Sequence, residues 1–369
     1  MNSEIKTGLI LGIVIAVGLG ILGMIFSTLD QEVQSTSVST DTNPLTKIDK
    51  SGFKRAPDLV GIAYYLNTTP EELSKEINGK VVLYDIWTYS CINCVRTLPY
   101  ITAWDEKYSD QGLLIVGVHS PEFEFEKDPE NVKMAIDKHG INYPVVLDNN
   151  METWKAFENR YWPRKYIADH EGYIRYDHIG EGGYKETEKI IQDLLKERSN
   201  SLGIQSSSAK DLVDIDEFEH SWLRSPELYF GYHFAQNRNQ LGNEEGFRPN
   251  QNVTYSLPES IQRHNFYLDG TWINLEGSMK LVSDSGVILL PYSGKEVNIV
   301  TSGEADLRIY IDGLPIESSI AGTNVGTNGR VHVHESGLYN IVQTETSEEH
   351  TLQIFVDTPE FEIFTFTFG

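Results

Sequence analysis

Two cysteines separated by two residues are the side chains of this sequence best suited to chemistry. They are Cys91 and Cys94 in DIWTYSCINCVRTLPY, where an apolar strand pattern runs directly into Cys91 and a helical pattern begins there. A thiol at a helix N-terminus faces unpaired backbone N–H groups and the positive end of the helix dipole, and both stabilise a thiolate. We therefore predict that Cys91 attacks a disulfide and that Cys94, almost one turn further along, resolves the mixed disulfide.

Two other interpretations of the cysteine pair are a zinc half-site and an inert structural disulfide. A structural zinc site normally takes four Cys or His ligands, whereas the sequence has no third cysteine and His119 has no companion at ligand spacing. Neither alternative accounts for the acid, the tryptophan and the proline that surround the pair. The sequence predicts a redox-active Cys91–Cys94 disulfide as the reacting group, with no metal site and no bound organic cofactor.

Alternating strand and helix patterns between residues 53 and 198 predict the domain that positions the pair. Short apolar runs predict strands, and the amphipathic segments between them predict helices. The predicted strands are 81–86, 113–118, 145–147, 165–168 and 173–178, and the predicted helices are 91–108, 129–139, 151–158 and 186–197. This alternation indicates an α/β sheet with parallel strands.

The residues around the pair resemble the active site of the thioredoxin superfamily, in which an acid and a tryptophan precede the C-x-x-C motif and a proline follows it. Asp85 stands six residues before Cys91, Trp87 stands four before it, and Pro99 stands five after Cys94. The resemblance implies that Asp85 is a buried acid that moves a proton to and from Cys94, and that Pro99 interrupts the helix. Burial would raise the pKa of Asp85 toward a range useful for proton transfer, whereas the alternative is a water-exposed acid at the strand end. Trp87 is expected to pack beside the disulfide.

A proline that faces the disulfide is a second feature of the superfamily, and Pro163 in NRYWPRKYIAD stands where the family pattern places it. The resemblance implies a cis Trp162–Pro163 peptide bond beside a backbone edge that pairs with an incoming peptide, with Trp162 shaping what can approach. Cis X–Pro bonds are a minority, about 5–6% in folded proteins. The alternative is therefore an ordinary trans proline at the start of an edge strand.

Finer resemblance is to the TlpA-like group, and within it to the C-terminal portion of DipZ-type proteins. It covers residues 53–369 and is carried by WTYSCINC, NRYWPRKYIAD and LYFGY. In that group a thioredoxin-like domain precedes a β-sandwich similar to carbohydrate-binding modules, and the usual activity is the reduction of client disulfides. DipZ-type proteins carry a multi-helix electron-transfer domain ahead of this portion, so the resemblance implies a separate membrane electron donor for this chain.

The distal part of the sequence has a different composition. A polar, Ser-rich linker is predicted at residues 199–210, and short β-prone stretches beyond it alternate with turn pairs such as Asp269-Gly270. This pattern predicts an all-β, jelly-roll-like sandwich over residues 211–369. Its many aromatic side chains are interpreted as core, and the alternative for exposed ones is stacking on a glycan.

An uncharged apolar stretch at residues 7–29 is long enough to cross a bilayer as a helix, which takes about 20 apolar residues. It has no small-residue cleavage site, so we predict a retained anchor rather than a cleaved signal peptide. Lys6 and the terminal amine precede it, and the positive flank faces the cytoplasm, so the folded part is predicted to be extracytoplasmic. Residues 30–52 are predicted to be a flexible linker.

Acidic residues outnumber basic ones by 54 to 30, which gives a formal charge of −24. This charge repels phosphate backbones, so the sequence argues against a nucleic-acid partner. The acidic run of Glu122, Glu124 and Glu126 is interpreted as a solvated loop and is left out of the predicted site.

The sequence therefore predicts a membrane-anchored, extracytoplasmic thiol–disulfide oxidoreductase that reduces client disulfides. Two other functions stay open from the residues alone. A disulfide-donating oxidase would use the same pair in the opposite direction, and the direction depends on the reduction potential. A surface protein that binds a glycan or a partner through its β-sandwich would use the thioredoxin-like domain only as a scaffold.

Overall fold

The computed structural model describes residues 49–204, 211–221, 223–235 and 238–369. The membrane segment predicted at residues 7–29 and most of the linker predicted after it lie outside the described residues. Within the described ranges, no helix is long and apolar enough to cross a membrane.

Strands and helices alternate in the first part of the described chain, as the sequence predicts. The strands are β1 (Tyr64–Leu66), β2 (Val81–Trp87), β3 (Leu113–His119), β4 (Val145–Leu147), β5 (Arg164–Ala168) and β6 (Ile174–Ile179). The helices are α1 (Pro70–Glu76), α2 (Ile92–Tyr108), α3 (Pro129–Lys138), α4 (Glu152–Ala156) and α5 (Tyr184–Leu202). Residues 49–204 are called the α/β part below.

The six strands of the α/β part form one mixed sheet in the order β1-β4-β3-β2-β5-β6. β3 pairs in parallel with both β2 and β4, whereas β1, β5 and β6 pair antiparallel with their neighbours. All seven residues of β2 and all seven of β3 are buried, because helices cover both faces of the sheet. α2, α3 and α5 pack on one face, and α1 and α4 pack on the other. The predicted α/β sheet with parallel strands is therefore confirmed.

α5 ends at Leu202, past the domain boundary predicted at residue 198, so the first residues of the predicted linker are helical. The hydroxyl of Ser199 donates to the carbonyl of Leu195 at 2.9 Å, a bond that lets a serine stay inside a helix. Gly203 follows with a φ of 65°, a left-handed conformation that glycine adopts without strain and that ends many helices.

Two segments that the sequence assigns elsewhere also pack against the sheet domain: the end of the predicted flexible linker, with Lys50, and residues 211–221 of the predicted β-sandwich. Lys50 Nζ lies 2.8 Å from a carboxylate oxygen of Asp169 and 3.0 Å from one of Glu197. The hydroxyl of Tyr100 donates to a backbone carbonyl within residues 211–221 at 3.0 Å. Ion pairs and hydrogen bonds with residues distant in sequence hold these segments in place, and the composition of the segments does not reveal those residues.

The second part of the molecule is all-β, as predicted, and residues 223–369 are called the β part below. Its strands are β7 (Leu228–Tyr229), β8 (Asn252–Tyr255), β9 (Tyr267–Asn274), β10 (Met279–Leu281), β11 (Gly286–Ser302), β12 (Ala305–Ile311), β13 (Leu314–Pro315), β14 (Arg330–Val333), β15 (Gly337–Val356) and β16 (Glu362–Phe368). Phe230, Phe266 and Trp272 are fully buried, as expected for core aromatic residues.

The strands of the β part are hydrogen-bonded into one continuous ten-stranded sheet, not into two separate sheets. The start of β11 pairs with β9, its end pairs with β16, and β10 joins β9 to β16, so these strands close a circuit. β11 is 17 residues long, and its pairing with β15 shifts register between Gly294 and Glu296. Such an irregularity bends a long strand and lets it contribute to two packed layers, which strand-length patterns in a sequence do not show.

The two parts share a buried contact, and residues 49–369 form one compact unit. The loop after β3 places Phe123 against Phe364 of β16, with ring centroids 4.9 Å apart. Arg96 on α2 lies 2.5 Å from the carboxylate of Glu296 on β11. These contacts hold the β part beside the helix that carries the cysteines.

Candidate functional site

α2 begins at the C-x-x-C motif and gives its two cysteines different exposures. Cys91 is the N-cap, with extended backbone (φ −79°), and its sulfur accepts a hydrogen bond from the Cys94 N–H at 3.3 Å. Cys91 is half-buried, whereas Cys94 is 1% exposed and belongs to the core. Burial raises the pKa of the Cys94 thiol. Of the two thiols, Cys91 is the more accessible.

β2 carries Asp85 and Trp87 on the face that α2 covers. Asp85 is 1% exposed, which confirms the predicted burial, and its Oδ1 has no hydrogen-bond partner among the described residues. Burial raises the pKa of this carboxyl to about 6, and the charge of Lys165 opposes the rise. Trp87 is fully buried in the same cluster as Cys94, as predicted. A Cβ at Gly117 would come 3.0 Å from the Trp87 Nε1, so a glycine on β3 leaves room for the indole.

Lys165 is a residue of this site that sequence analysis missed. It stands opposite Asp85 in the β2–β5 pair, so both side chains project from the same face of the sheet. Lys165 is fully buried, and its Nζ donates to the carbonyl of Gly180 at 3.1 Å. Burial lowers the pKa of its amine, which the negative charge of Asp85 opposes. The strand itself is predicted, but the face on which Lys165 lies depends on the register with β2, which the sequence does not reveal.

Replacing Lys165 with methionine is expected to raise the pKa of Asp85 above about 6, because a nearby positive charge that favours the carboxylate is removed. The measurement is the carboxyl ¹³C chemical shift of Asp85 as a function of pH in the reduced protein. Arg164→Met is the matched control, since Arg164 neighbours Lys165 but pairs with Asp177. An unchanged Asp85 titration in Lys165→Met would refute the electrostatic role of the lysine.

The Trp162–Pro163 peptide bond is cis, which confirms the predicted conformation. β5 begins at the next residue and pairs with the end of β2, so Pro163 lies beside the point where the chain turns toward Cys91. Trp162 donates its indole N–H to the carbonyl of Ser120 at 2.9 Å. The tryptophan is therefore fixed, and it lines the same cavity as Cys91.

Pro99 lies inside α2 on its exposed side. Because proline has no backbone N–H, the carbonyl of Val95 lacks its helical donor. Pro99 stands about 7.5 Å along the helix from Cys94 at 1.5 Å per residue, so it shapes the helix away from the sulfurs.

A cavity of about 260 Å³ lies at Cys91, and both parts of the molecule line it. We call it the cysteine cleft. The α/β part contributes Cys91, Glu122 and Trp162, and the β part contributes Arg224, Glu227 and Tyr229. The sequence does not predict this shared wall, because these segments meet only through the tertiary contact.

The acidic run predicted as a solvated loop is only partly exposed. Glu124 is exposed, but Glu126 is fully buried and Glu122 faces the cysteine cleft. The Glu126 carboxylate accepts a hydrogen bond from the Ser90 hydroxyl at 2.5 Å and another from the Glu122 N–H at 2.6 Å. It therefore ties Glu122 to the residue that precedes Cys91. A 3₁₀ turn over residues 124–127 directs Glu126 inward, so the interpretation of the run as a solvated loop is wrong for Glu126.

A bound metal has no evident ligand set here. Among the described residues, no three His, Cys, Asp or Glu side chains lie together in a metal-binding arrangement. His119 is fully buried, its Nε2 lies 3.3 Å from Thr88 Oγ1, and burial lowers its pKa to about 3. Its ring packs edge-on against Trp87, so it is a neutral core residue. The arrangement can perform thiol chemistry through Cys91 and Cys94.

Family models match both parts of the chain. Residues 51–195 match a model described as Redoxin, and residues 225–369 match one described as thioredoxin like C-terminal domain. The first match contains the cysteine motif and the cis-proline, and the second contains the β-part wall of the cysteine cleft.

Known proteins are similar over the same regions. Protein DipZ of Mycobacterium bovis is 33% identical over 341 residues, which are 91% of this chain and 46% of DipZ, so the chain spans about half the length of that relative. Thiol-disulfide oxidoreductase YkuV of Bacillus subtilis is 35% identical over 143 residues, which are 38% of this chain and 94% of YkuV. A solution structure of a thioredoxin-like protein in its oxidized form is 33% identical, covers 40% of this chain and 98% of its own, and has a TM-score of 0.36.

Proposed function

This chain belongs to the thioredoxin-like thiol–disulfide oxidoreductases, and from that premise we propose that it reduces client disulfides outside the cytoplasm. In this proposal residues 7–29 hold it to the membrane. The cysteine pair is the reacting group, with Cys91 as the attacking thiol and Cys94 as the resolving thiol.

In the proposed cycle, the Cys91 thiolate attacks a client disulfide. A bond forms between Cys91 Sγ and one client sulfur, and the second client sulfur leaves with the electron pair of the broken bond. Asp85 then accepts the proton of the Cys94 thiol, and the Cys94 sulfur attacks Cys91 Sγ. This step releases the first client sulfur and leaves a Cys91–Cys94 disulfide, so the client gains the two electrons that the pair loses.

One observation carries the proposal: the two sulfurs are asymmetric in the way that this order of attack requires. Cys91 is half-buried at the cysteine cleft, where a client sulfur can reach it. Cys94 is buried in the core, and one carboxylate oxygen of Asp85, on the same face of the sheet, has no hydrogen-bond partner within the described part of the chain. A carboxyl with a pKa of about 6 is suited to take a thiol proton near neutral pH.

The proposal requires two kinds of partner. The client is a protein whose disulfide can enter the cysteine cleft, since both parts of the molecule restrict access to Cys91. The donor is a separate membrane protein that returns two electrons per cycle to the pair. Glycan binding by the β part stays a prediction from the sequence.

The reduction potential of the purified full chain tests the direction of this function. Equilibration in glutathione or dithiothreitol buffers is expected to give a value near or below about −270 mV, as for a reductase. A value near about −120 mV, where the dithiol is strongly stabilised, would overturn the reductase proposal in favour of a disulfide-donating oxidase. The control is the Cys91→Ser variant, which cannot form the pair and is expected to show no transition.

A further inference from the structure

Tyr229 lies between two carboxyl groups in the wall of the cysteine cleft. Its hydroxyl oxygen is 3.0 Å from an oxygen of Glu122 and 2.8 Å from an oxygen of Glu227. Glu122 comes from the α/β part, whereas Tyr229 and Glu227 come from the β part. This carboxyl–phenol–carboxyl chain therefore exists only while the two parts are in contact.

The number of hydrogens available among Glu122, Tyr229 and Glu227 favours one shared proton. A phenol has one hydrogen to donate, so it can satisfy only one of two carboxylates. If both carboxyls were ionised, the second would face the lone pairs of the phenol oxygen. With one carboxyl protonated, that acid donates a hydrogen bond to the phenol and the phenol donates one to the other carboxylate. The two carboxyl groups therefore share one proton.

The surrounding charges favour the retention of this proton. Burial and the neighbouring carboxylates of Glu227 and Glu126 raise the pKa of Glu122. Glu227 is exposed at the rim of the cleft, and the partial loss of hydration around its carboxyl raises its pKa as well. The opposing charge is Arg238, whose guanidinium lies 4.6 Å from the centre of the Tyr229 ring. Arg224 adds an exposed positive charge to the same cleft.

Glu122 is also held in a defined position relative to the nucleophile. The Glu126 carboxylate accepts hydrogen bonds from the backbone N–H of Glu122 at 2.6 Å and from the Ser90 hydroxyl at 2.5 Å. Ser90 directly precedes Cys91, and Ser90, Cys91 and Glu122 line one cavity of about 260 Å³. A client disulfide seated on Cys91 in a cavity of this size also faces Glu122.

We propose that Glu122 is the general acid that protonates the client sulfur expelled by Cys91, with Tyr229 and Glu227 as the positioning residues that keep it protonated. The inference rests on the proposed attack of Cys91 on a client disulfide. The Cys91–client S–S bond forms, the client S–S bond breaks, and the departing sulfur leaves with the electron pair. That sulfur takes the proton from Glu122, and Glu122 then regains a proton from water.

The test compares two uncharged disulfides in full-chain protein carrying Cys94→Ser, so that the reaction stops at the mixed disulfide. Hydroxyethyl disulfide expels an alkyl thiolate that needs a proton at neutral pH. Bis(4-nitrophenyl) disulfide expels an aryl thiolate that is stable without one. Mixed-disulfide formation is followed by mass spectrometry, and Glu122→Gln is compared with Glu124→Gln, a matched control at an exposed glutamate of the same segment.

Glu122→Gln is expected to slow the alkyl reaction at least about tenfold and to leave the aryl reaction unchanged, because general acid catalysis assists only the poor leaving group. Glu124→Gln is expected to leave both rates unchanged. Equal slowing of both reactions in Glu122→Gln would show a structural role, and an unchanged alkyl rate would show no role, so either result overturns the inference. If Cys91 itself does not react with either disulfide before any glutamate is changed, the proposed function fails instead.

Glu227→Gln supplies a second readout, the pH dependence. Both reactions use the Cys91 thiolate, so the ratio of the alkyl rate to the aryl rate does not depend on the ionisation of Cys91. This ratio is expected to fall as pH rises through the pKa of Glu122. Without the carboxylate of Glu227, Glu122 loses its proton at lower pH, so the fall is expected to move to lower pH. If the ratio has the same pH dependence with and without Glu227→Gln, the shared proton is contradicted.

Discussion

Replacing Cys91 with serine is expected to abolish thiol–disulfide exchange, with a fall in rate of at least about 10³-fold. A serine hydroxyl does not ionise near neutral pH, and the second cysteine of the sequence, Cys94, is 1% exposed, so it cannot replace Cys91 as the attacking thiol. The measurement is the rate at which the reduced full chain reduces a protein disulfide such as that of insulin.

Cys94→Ser is the matched control for this variant. It keeps the accessible thiol of Cys91 and removes only the resolving sulfur, so it is expected to accumulate a mixed disulfide with the client. Mass spectrometry would detect that adduct. Full reductase activity in Cys91→Ser would instead contradict the role of Cys91 as the attacking thiol.

Asp85→Asn is expected to slow the resolution of the mixed disulfide by about 10- to 100-fold at neutral pH, because the group that accepts the Cys94 proton is lost. The first attack by Cys91 does not use that proton and is expected to keep its rate. Rapid-quench samples analysed by mass spectrometry separate the two steps. Equal slowing of both steps would contradict this role for Asp85.

The same substitution is expected to change the pH dependence of stability. Burial raises the pKa of Asp85 from 3.8 to about 6, so the folded state holds this proton more tightly than the unfolded chain does. The stabilisation is fully present below about pH 3.8 and is lost as pH rises through about 6, a difference of about 3 kcal/mol at roughly 1.4 kcal/mol per pKa unit.

Wild-type protein is therefore expected to lose about 3 kcal/mol of unfolding free energy, relative to Asp85→Asn, between about pH 3.8 and pH 7.5. Urea unfolding of the reduced proteins at several pH values measures this difference. Glu124→Gln is the control, since this acid is exposed and lies outside the strand that carries Asp85. A difference between Asp85→Asn and wild type that is constant with pH would show that Asp85 does not titrate as described.

Much of the reacting centre was predictable from the sequence, because it is encoded by residues that are close together in the chain. Cys91 and Cys94 share the first turn of one helix, and Asp85 lies on the strand that leads into it. Burial of Asp85 followed from its position inside an apolar run. The cis bond before Pro163 was implied only by family resemblance, since nothing in the local residues requires it.

The features that sequence analysis missed depend on which segments meet. Lys165 faces Asp85 because of the register between β2 and β5, and a shift of one residue would place it on the other face of the sheet. Glu126 is buried because a 3₁₀ turn over residues 124–127 directs it inward, although the sequence indicates a solvated acidic loop. In the β part, the continuous sheet depends on how the long strand β11 bends, which its length and composition do not specify.

The sequence by itself determined the cysteine pair at the start of one helix and the buried acid on the strand before it, because local spacing places them. Only the tertiary structure decided what surrounds them. Glu122 and Tyr229 are 107 positions apart, yet their side chains are in hydrogen-bonding contact across the cysteine cleft. Packing between the two parts brings them together, and that packing depends on the shape of both surfaces, which a linear pattern of residues does not contain.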